Sequence, residues 1–272
     1  MDPLLQRRGL FKGEVVKNQP PLLPVATCNR PCSFLHFSLS CDRETILFSD
    51  QHKRIMQELD FVSMLRVLPG IILGLTVHEY AHTLVALRLG DDTAKLAGRL
   101  TLNPLKHIDP IGFIFLLVAG FGWAKPVLID GRKLRHPRRD DILISLAGPV
   151  SNLLLAIFIA LLLKVCLTLA PYNGESTYRE ALNVCIAGLY INIGLFIFNL
   201  IPLPPLDGSH LITSLVSTRS LAIAHMFFRY GAYAFLAIIV LERVVHVNLL
   251  PIDVVVSFIA KGLFGALGLF QR

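Results

Sequence analysis

Beyond its first sixty residues the chain alternates long apolar runs with short polar ones, and several of the runs have the length of a bilayer span. Phe61 to Leu89 is the first, closed by Gly90-Asp91-Asp92, where Gly90 is the expected helix cap. Ile111 to Trp123 is apolar but holds three glycines and is too short to cross comfortably as a helix. It is expected to be a re-entrant or sheet-like element, packed on protein or lining a watery cavity. Ile142 to Ala170 and Ala181 to Ile201 are full spans, joined by the short, slightly acidic loop 171–180. Leu221 to Leu241 and Pro251 to Phe270 follow, and the second of these, with Lys261 and several glycines, reads as interfacial rather than crossing. The pattern predicts an α-helical polytopic membrane protein, of about four to six spans over residues 61–272. Residues 1–60 form a polar tail punctuated by prolines, with no run long enough to span or to serve as a signal-peptide core.

Composition supports that picture: 54% of the 272 residues are hydrophobic, with a mean hydropathy of +0.61. The net charge of +7 does not point to nucleic acid, because the basic residues gather between the apolar runs rather than along one helix face or among aromatics. The loop from Lys125 to Asp141 holds six basic residues against three acidic ones. Positive loops face the cytoplasm, which places residues 90–141 there, 171–180 outside, and the end of the Ala181 to Ile201 span back at the cytoplasmic side. The same topology sets the basic tail outside, against the rule. Five cysteines, at 28, 32, 41, 166 and 185, contain no CxxC pair and specify neither a disulfide scaffold nor a zinc ribbon.

The candidate chemistry sits in the first span, as His78-Glu79-Tyr80-Ala81-His82. Residues i and i+4 share a helix face, so both imidazoles can address one metal, while Glu79, about 100° round the helix, can reach a metal-bound water without ligating. In an apolar helix these three polar groups are costly unless they meet a metal, water or each other. A catalytic zinc needs a third protein ligand. Asp207 is the best candidate, a carboxylate at the edge of a span where Pro202, Pro204 and Pro205 end the helix and Gly208 frees the backbone. None of the remaining histidines is read as a ligand: His107 sits in a turn-rich loop and is expected to be structural there rather than to orient a ligand from outside. His210 is expected in solvent or at a helix end, and His36, His52, His136, His225 and His246 at the surface or interface.

Taken together, His78 to His82, Leu102 to Gly112, Gly148-Pro-Val-Ser-Asn152 and Asn199 to Gly208 resemble the site-2 protease family of intramembrane zinc metalloproteases, in its compact form without a PDZ insertion. The resemblance covers roughly residues 65–265 and leaves the tail outside. It implies a three-helix catalytic core, here 61–89, 142–170 and 181–201, and one zinc per chain near the cytoplasmic face. His78, His82 and Asp207 match the zinc ligands and Glu79 the catalytic base. Asn199 matches an asparagine close to the metal, an amide able to stabilise an oxyanion, and Asn152 matches the last position of a GxxxN motif. The implied activity is cleavage within the transmembrane segment of another membrane protein, as in regulated intramembrane proteolysis. The implied setting is the plasma (inner) membrane of a prokaryote; the partners are the substrate and the lipid bilayer, with no nucleic acid. Intramembrane His, Glu and Asp also mark metal-ion transporters, but no second copy of the motif suggests a transporter's repeated halves.

Overall fold

The computed structural model describes residues 61–119, 122–169, 175–215, 221–245 and 250–269; the tail 1–60 lies outside them. Its helices are α1 (Phe61–Arg88), α2 (Thr93–Leu96), α3 (Pro110–Ala119), α4 (Pro137–Leu169), α5 (Ser176–Asn199), α6 (Gly208–Leu215), α7 (Leu221–Val245) and α8 (Ile252–Ala266). Ser63–Arg88, Pro137–Leu169 and Ser176–Asn199 are each long and apolar enough to cross a membrane. The chain is an α-helical polytopic membrane protein. The α7 helix, 25 residues, has the length of a span, whereas α8, with 15, reaches only about 22 Å against a hydrocarbon thickness of about 30 Å.

The helices α1, α4 and α5 pack on one another as the implied three-helix core. Small residues let them approach. A Cβ on Gly70 of α1 would stand 2.6 Å from the Gly188 Cα of α5, so only glycine fits that crossing. Ala156, Ile159, Ala160 and Leu163 of α4 bury against Leu189 and Ile193 of α5 and Val256, Ala260 and Phe264 of α8. That packing places α8 against the core.

The α1 helix ends as its sequence foretells. Gly90 takes φ 111°, and the Asp91 amide donates to the Ala86 carbonyl at 2.9 Å, closing the last turn. Two boundaries differ from hydropathy. Helix α4 begins at Pro137, before the apolar run, because proline at a first helical position needs no amide partner and the Asp140 carboxylate accepts the His136 amide at 2.8 Å. Of the run expected to be re-entrant or sheet-like, the part up to Ala119 is helical, in a helix that starts at Pro110. Asp109 caps it by accepting the Gly112 amide at 2.8 Å, and Pro110 leads it. The segment then doubles back: Ile108 and Ala124 form an antiparallel bridge, and the Lys125 amide donates to the His107 carbonyl at 2.8 Å. Among the described residues no strand offers an edge.

Asp91 ties the loops on this side together. Its carboxylate, almost wholly buried, accepts the Thr93 amide at 2.9 Å and the Asp130 amide at 2.7 Å. Burial works to raise its pKa, but these hydrogen bonds and nearby Lys133 outweigh it and hold the carboxyl below its usual value. A depressed carboxyl stabilises the fold above its unfolded pKa of about 3.9, and the contribution fades as pH falls through the folded value. Asp91→Ala is expected to cost about 1–3 kcal/mol through two unpartnered amides, read as a lowered unfolding midpoint in detergent.

Candidate metal centre

The structure brings three ligating atoms to one point. Adjacent turns of α1 stack His78 and His82 with their Nε2 atoms 3.0 Å apart, and Asp207 Oδ2 lies 3.1 Å from the first and 3.3 Å from the second. Bonds of about 2.0–2.1 Å in a tetrahedron put ligand atoms roughly 3.3–3.4 Å apart, so this triangle has nearly the size of a zinc site's face.

The surroundings fix which nitrogens carry protons. His82 Nδ1 donates to the Ile144 carbonyl of α4 at 2.7 Å, and a carbonyl only accepts. His78 Nδ1 faces Asn152 Oδ1 at 2.7 Å. In the neutral rings both Nε2 atoms therefore present lone pairs to each other and to a carboxylate oxygen that is buried and receives no hydrogen bond from the described residues. Three lone pairs facing one another at about 3 Å call for a cation, and two imidazoles with a carboxylate suit zinc.

Asp207 arrives on the turn between α5 and α6. Gly208 is required there: a Cβ on it would stand 2.5 Å from the Ile201 carbonyl and closer still to that of Leu200. The other anchor is Asp141 at the start of α4, which accepts Ser214 Oγ at 2.8 Å and lies 3.3 Å from His210 Nδ1. His210 is thus half-buried beside a carboxylate in the first turn of α6 rather than in open solvent. Gly148 of α4 faces the imidazoles edge on, and a Cβ there would meet His78 Nε2 at 2.6 Å and His82 Nε2 more closely.

Glu79 is half-buried beside the triad. Asn199 ends α5 and donates one amide hydrogen to its own helix, at Leu195 O, 3.0 Å away; its second remains for another acceptor. His107 serves the loop: it is buried, and its Nε2 pairs with the Thr101 carbonyl at 2.8 Å. His136 is exposed, and His36, His52 and His246 lie outside the described residues. Cys166 and Cys185 are free thiols.

A cavity of about 300 Å³ opens between α1, the 108–124 segment, α5 and α8, lined almost entirely by apolar side chains. Ile72, Leu75 and Glu79 follow one another at i, i+3 and i+7, so the cavity's α1 wall continues the stripe that carries Glu79. On α5, Leu195 lies one turn before Asn199 on the same stripe.

The profile of peptidase family M50 matches residues 167–242, which include Asp207. YwhC of Bacillus subtilis (strain 168), named as a zinc metalloprotease, is 45% identical over 171 residues, 62% of this chain and 78% of that protein. Rip2 of Mycolicibacterium smegmatis, named likewise, is 32% identical over 147 residues, 52% of this chain and 54% of that protein. Rip2 of Mycobacterium tuberculosis H37Rv is 30% identical over 152 residues, with the same shares. No solved structure matches the chain. With 45% identity across most of YwhC and a histidine–carboxylate triangle of zinc dimensions, the chain belongs to peptidase family M50, the site-2 protease family of zinc metalloproteases.

Proposed function

We propose that the protein is an intramembrane endopeptidase that hydrolyses a peptide bond within the transmembrane segment of another membrane protein. His78, His82 and Asp207 hold one zinc, Glu79 is the general base, and Asn199 offers its second amide hydrogen to the developing oxyanion. The observation that carries the reading is the apolar cavity between α1 and α5, two helices able to span a bilayer, whose α1 wall leads along one stripe toward Glu79. A soluble substrate would gain little from apolar walls, whereas an unwound piece of a transmembrane helix matches them.

Zinc, when bound there, supplies the Lewis acidity that activates water and polarises a carbonyl. The Glu79 carboxylate takes the proton of the attacking water and returns it to the leaving amine. A helical substrate hides its carbonyls in i to i+4 hydrogen bonds and must be unwound locally before attack. Among the described residues the 108–124 segment holds a helix and no strand, and in this reading the cavity walls hold the unwound stretch. The basic loops support a centre toward the cytoplasmic side; a prokaryotic plasma membrane as the setting, and release of membrane-held regulators as the role, belong to the same proposal.

The test is cleavage of a single-span substrate by the purified zinc-loaded protein, with products mapped by mass spectrometry. Cuts inside the apolar segment are expected; cuts confined to the flanks, or none with several substrates, would overturn the reading. Gly194→Leu sharpens it. Gly194 lines the cavity and a Cβ there meets nothing within 4 Å, so leucine enters the cavity without disturbing the helix. Cleavage is expected to fall at least about tenfold, as when a substrate pocket is obstructed, with zinc content unchanged.

A further inference from the structure

The structure assigns Asn192 a positioning role: through Asn152 it fixes the ring state in which His78 presents a lone pair to the metal. The inference rests on reading His78 as a zinc ligand. Asn192 lies fully buried among apolar residues in the middle of α5. Its Nδ2 donates to the Gly188 carbonyl at 2.7 Å and reaches the Gly70 carbonyl of α1 at 3.4 Å. Both partners only accept, so the amide has one orientation, with Oδ1 toward Asn152. Asn152 Nδ2 donates to that oxygen at 3.0 Å and to the Gly74 carbonyl at 3.1 Å.

The Asn152 amide, held from one side by the Gly74 carbonyl and from the other by Asn192 Oδ1, keeps its Nδ2 on these two acceptors, and its Oδ1 is left for His78 Nδ1 at 2.7 Å. Reversing Asn152 would aim an N–H at Nδ1 and move the ring proton to Nε2, where it would block the metal. Three carbonyl acceptors, two amides and one imidazole form a directional chain across α5, α4 and α1, with Asn192 at the end farthest from the metal position. The space is closed around it, since a Cβ on Gly74 would stand 2.6 Å from Asn192 Oδ1. His82 needs no such relay, because the Ile144 carbonyl sets its ring directly.

The experiment measures zinc affinity by chelator competition on the purified full chain, for wild type, Asn192→Leu, and Asn192→Leu combined with Asn152→Asp. Leucine keeps the branching of the side chain but removes the amide, and zinc is expected to bind more weakly, by up to the roughly 10- to 100-fold that follows loss of a partner bonded directly to a metal-bound histidine. An aspartate at 152 has no N–H to turn toward His78, so it accepts from Nδ1 whichever way it lies, and the double variant is expected to recover most of the loss. Affinity of Asn192→Leu equal to wild type overturns the inference, as does a loss that Asn152→Asp does not restore, which marks Asn192 as helix packing alone. Wild type that binds no zinc would sink the metal reading itself, a result distinct from either.

Discussion

Glu79→Gln is expected to retain zinc and lose cleavage. Glutamine keeps the size of the side chain and its place on α1 but can neither take a proton from water nor return one to the leaving amine. General acid–base catalysis is typically worth about 100- to 10,000-fold, and the same group serves twice here, so the loss should lie toward the upper end of that range. Zinc content should stay near that of wild type, because among the described residues the ligating triangle is built from His78, His82 and Asp207, without Glu79. A fall in kcat at unchanged substrate affinity identifies a group acting in the transition state. Substantial residual cleavage by Glu79→Gln would remove Glu79 from the role of base.

Gly148→Ala is expected to give the reverse result, a chain that folds and cannot hold zinc. The added methyl carbon would stand 2.6 Å from His78 Nε2 and nearer still to His82 Nε2. Neither ring can step back, since each Nδ1 is tied to α4, at Asn152 and at Ile144. The metal position itself is obstructed, so affinity should fall beyond the roughly 10- to 100-fold typical of a lost outer partner. Alanine is also a better helix former than glycine, so the unfolding midpoint of the zinc-free chain should not drop in step. Gly262→Ala, where a Cβ meets nothing within 4 Å, is the control. Wild-type zinc affinity in Gly148→Ala would contradict the close approach of α4 to the imidazoles.

What was legible in the sequence was what local rules decide. Three spans and the pairing of His78 with His82 follow from hydropathy and the helical repeat, and each needs only one segment to be read. Asp207 could be chosen because prolines and a glycine announce an interruption. The helical form of residues 110–119 was not told apart from other re-entrant or sheet-like forms although its signal is local: Asp109-Pro110 is a cap and a first turn. The early start of α4 was missed for the same reason, since Pro137 and Asp140 carry it rather than apolar character.

Asn192 went unread for a different reason. A buried amide in a membrane helix is itself a signal, but which carbonyls it meets depends on the crossing of α1 and α5, set by glycines far apart in the chain. Tertiary placement, not residue type, turns it from a polar oddity into the end of a relay. The metal centre is likewise local in its two histidines and non-local in everything that orients them.

Because Asp207 follows His82 only after the long helices α4 and α5, the order of synthesis bears on when the centre can exist. A nascent chain halted before the Pro202 to Gly208 turn carries two imidazoles and no carboxylate to close the triangle. The growing polypeptide therefore stays inert until Asp207 has been made and α1, α4 and α5 lie side by side, with only α6, α7 and α8 still to follow.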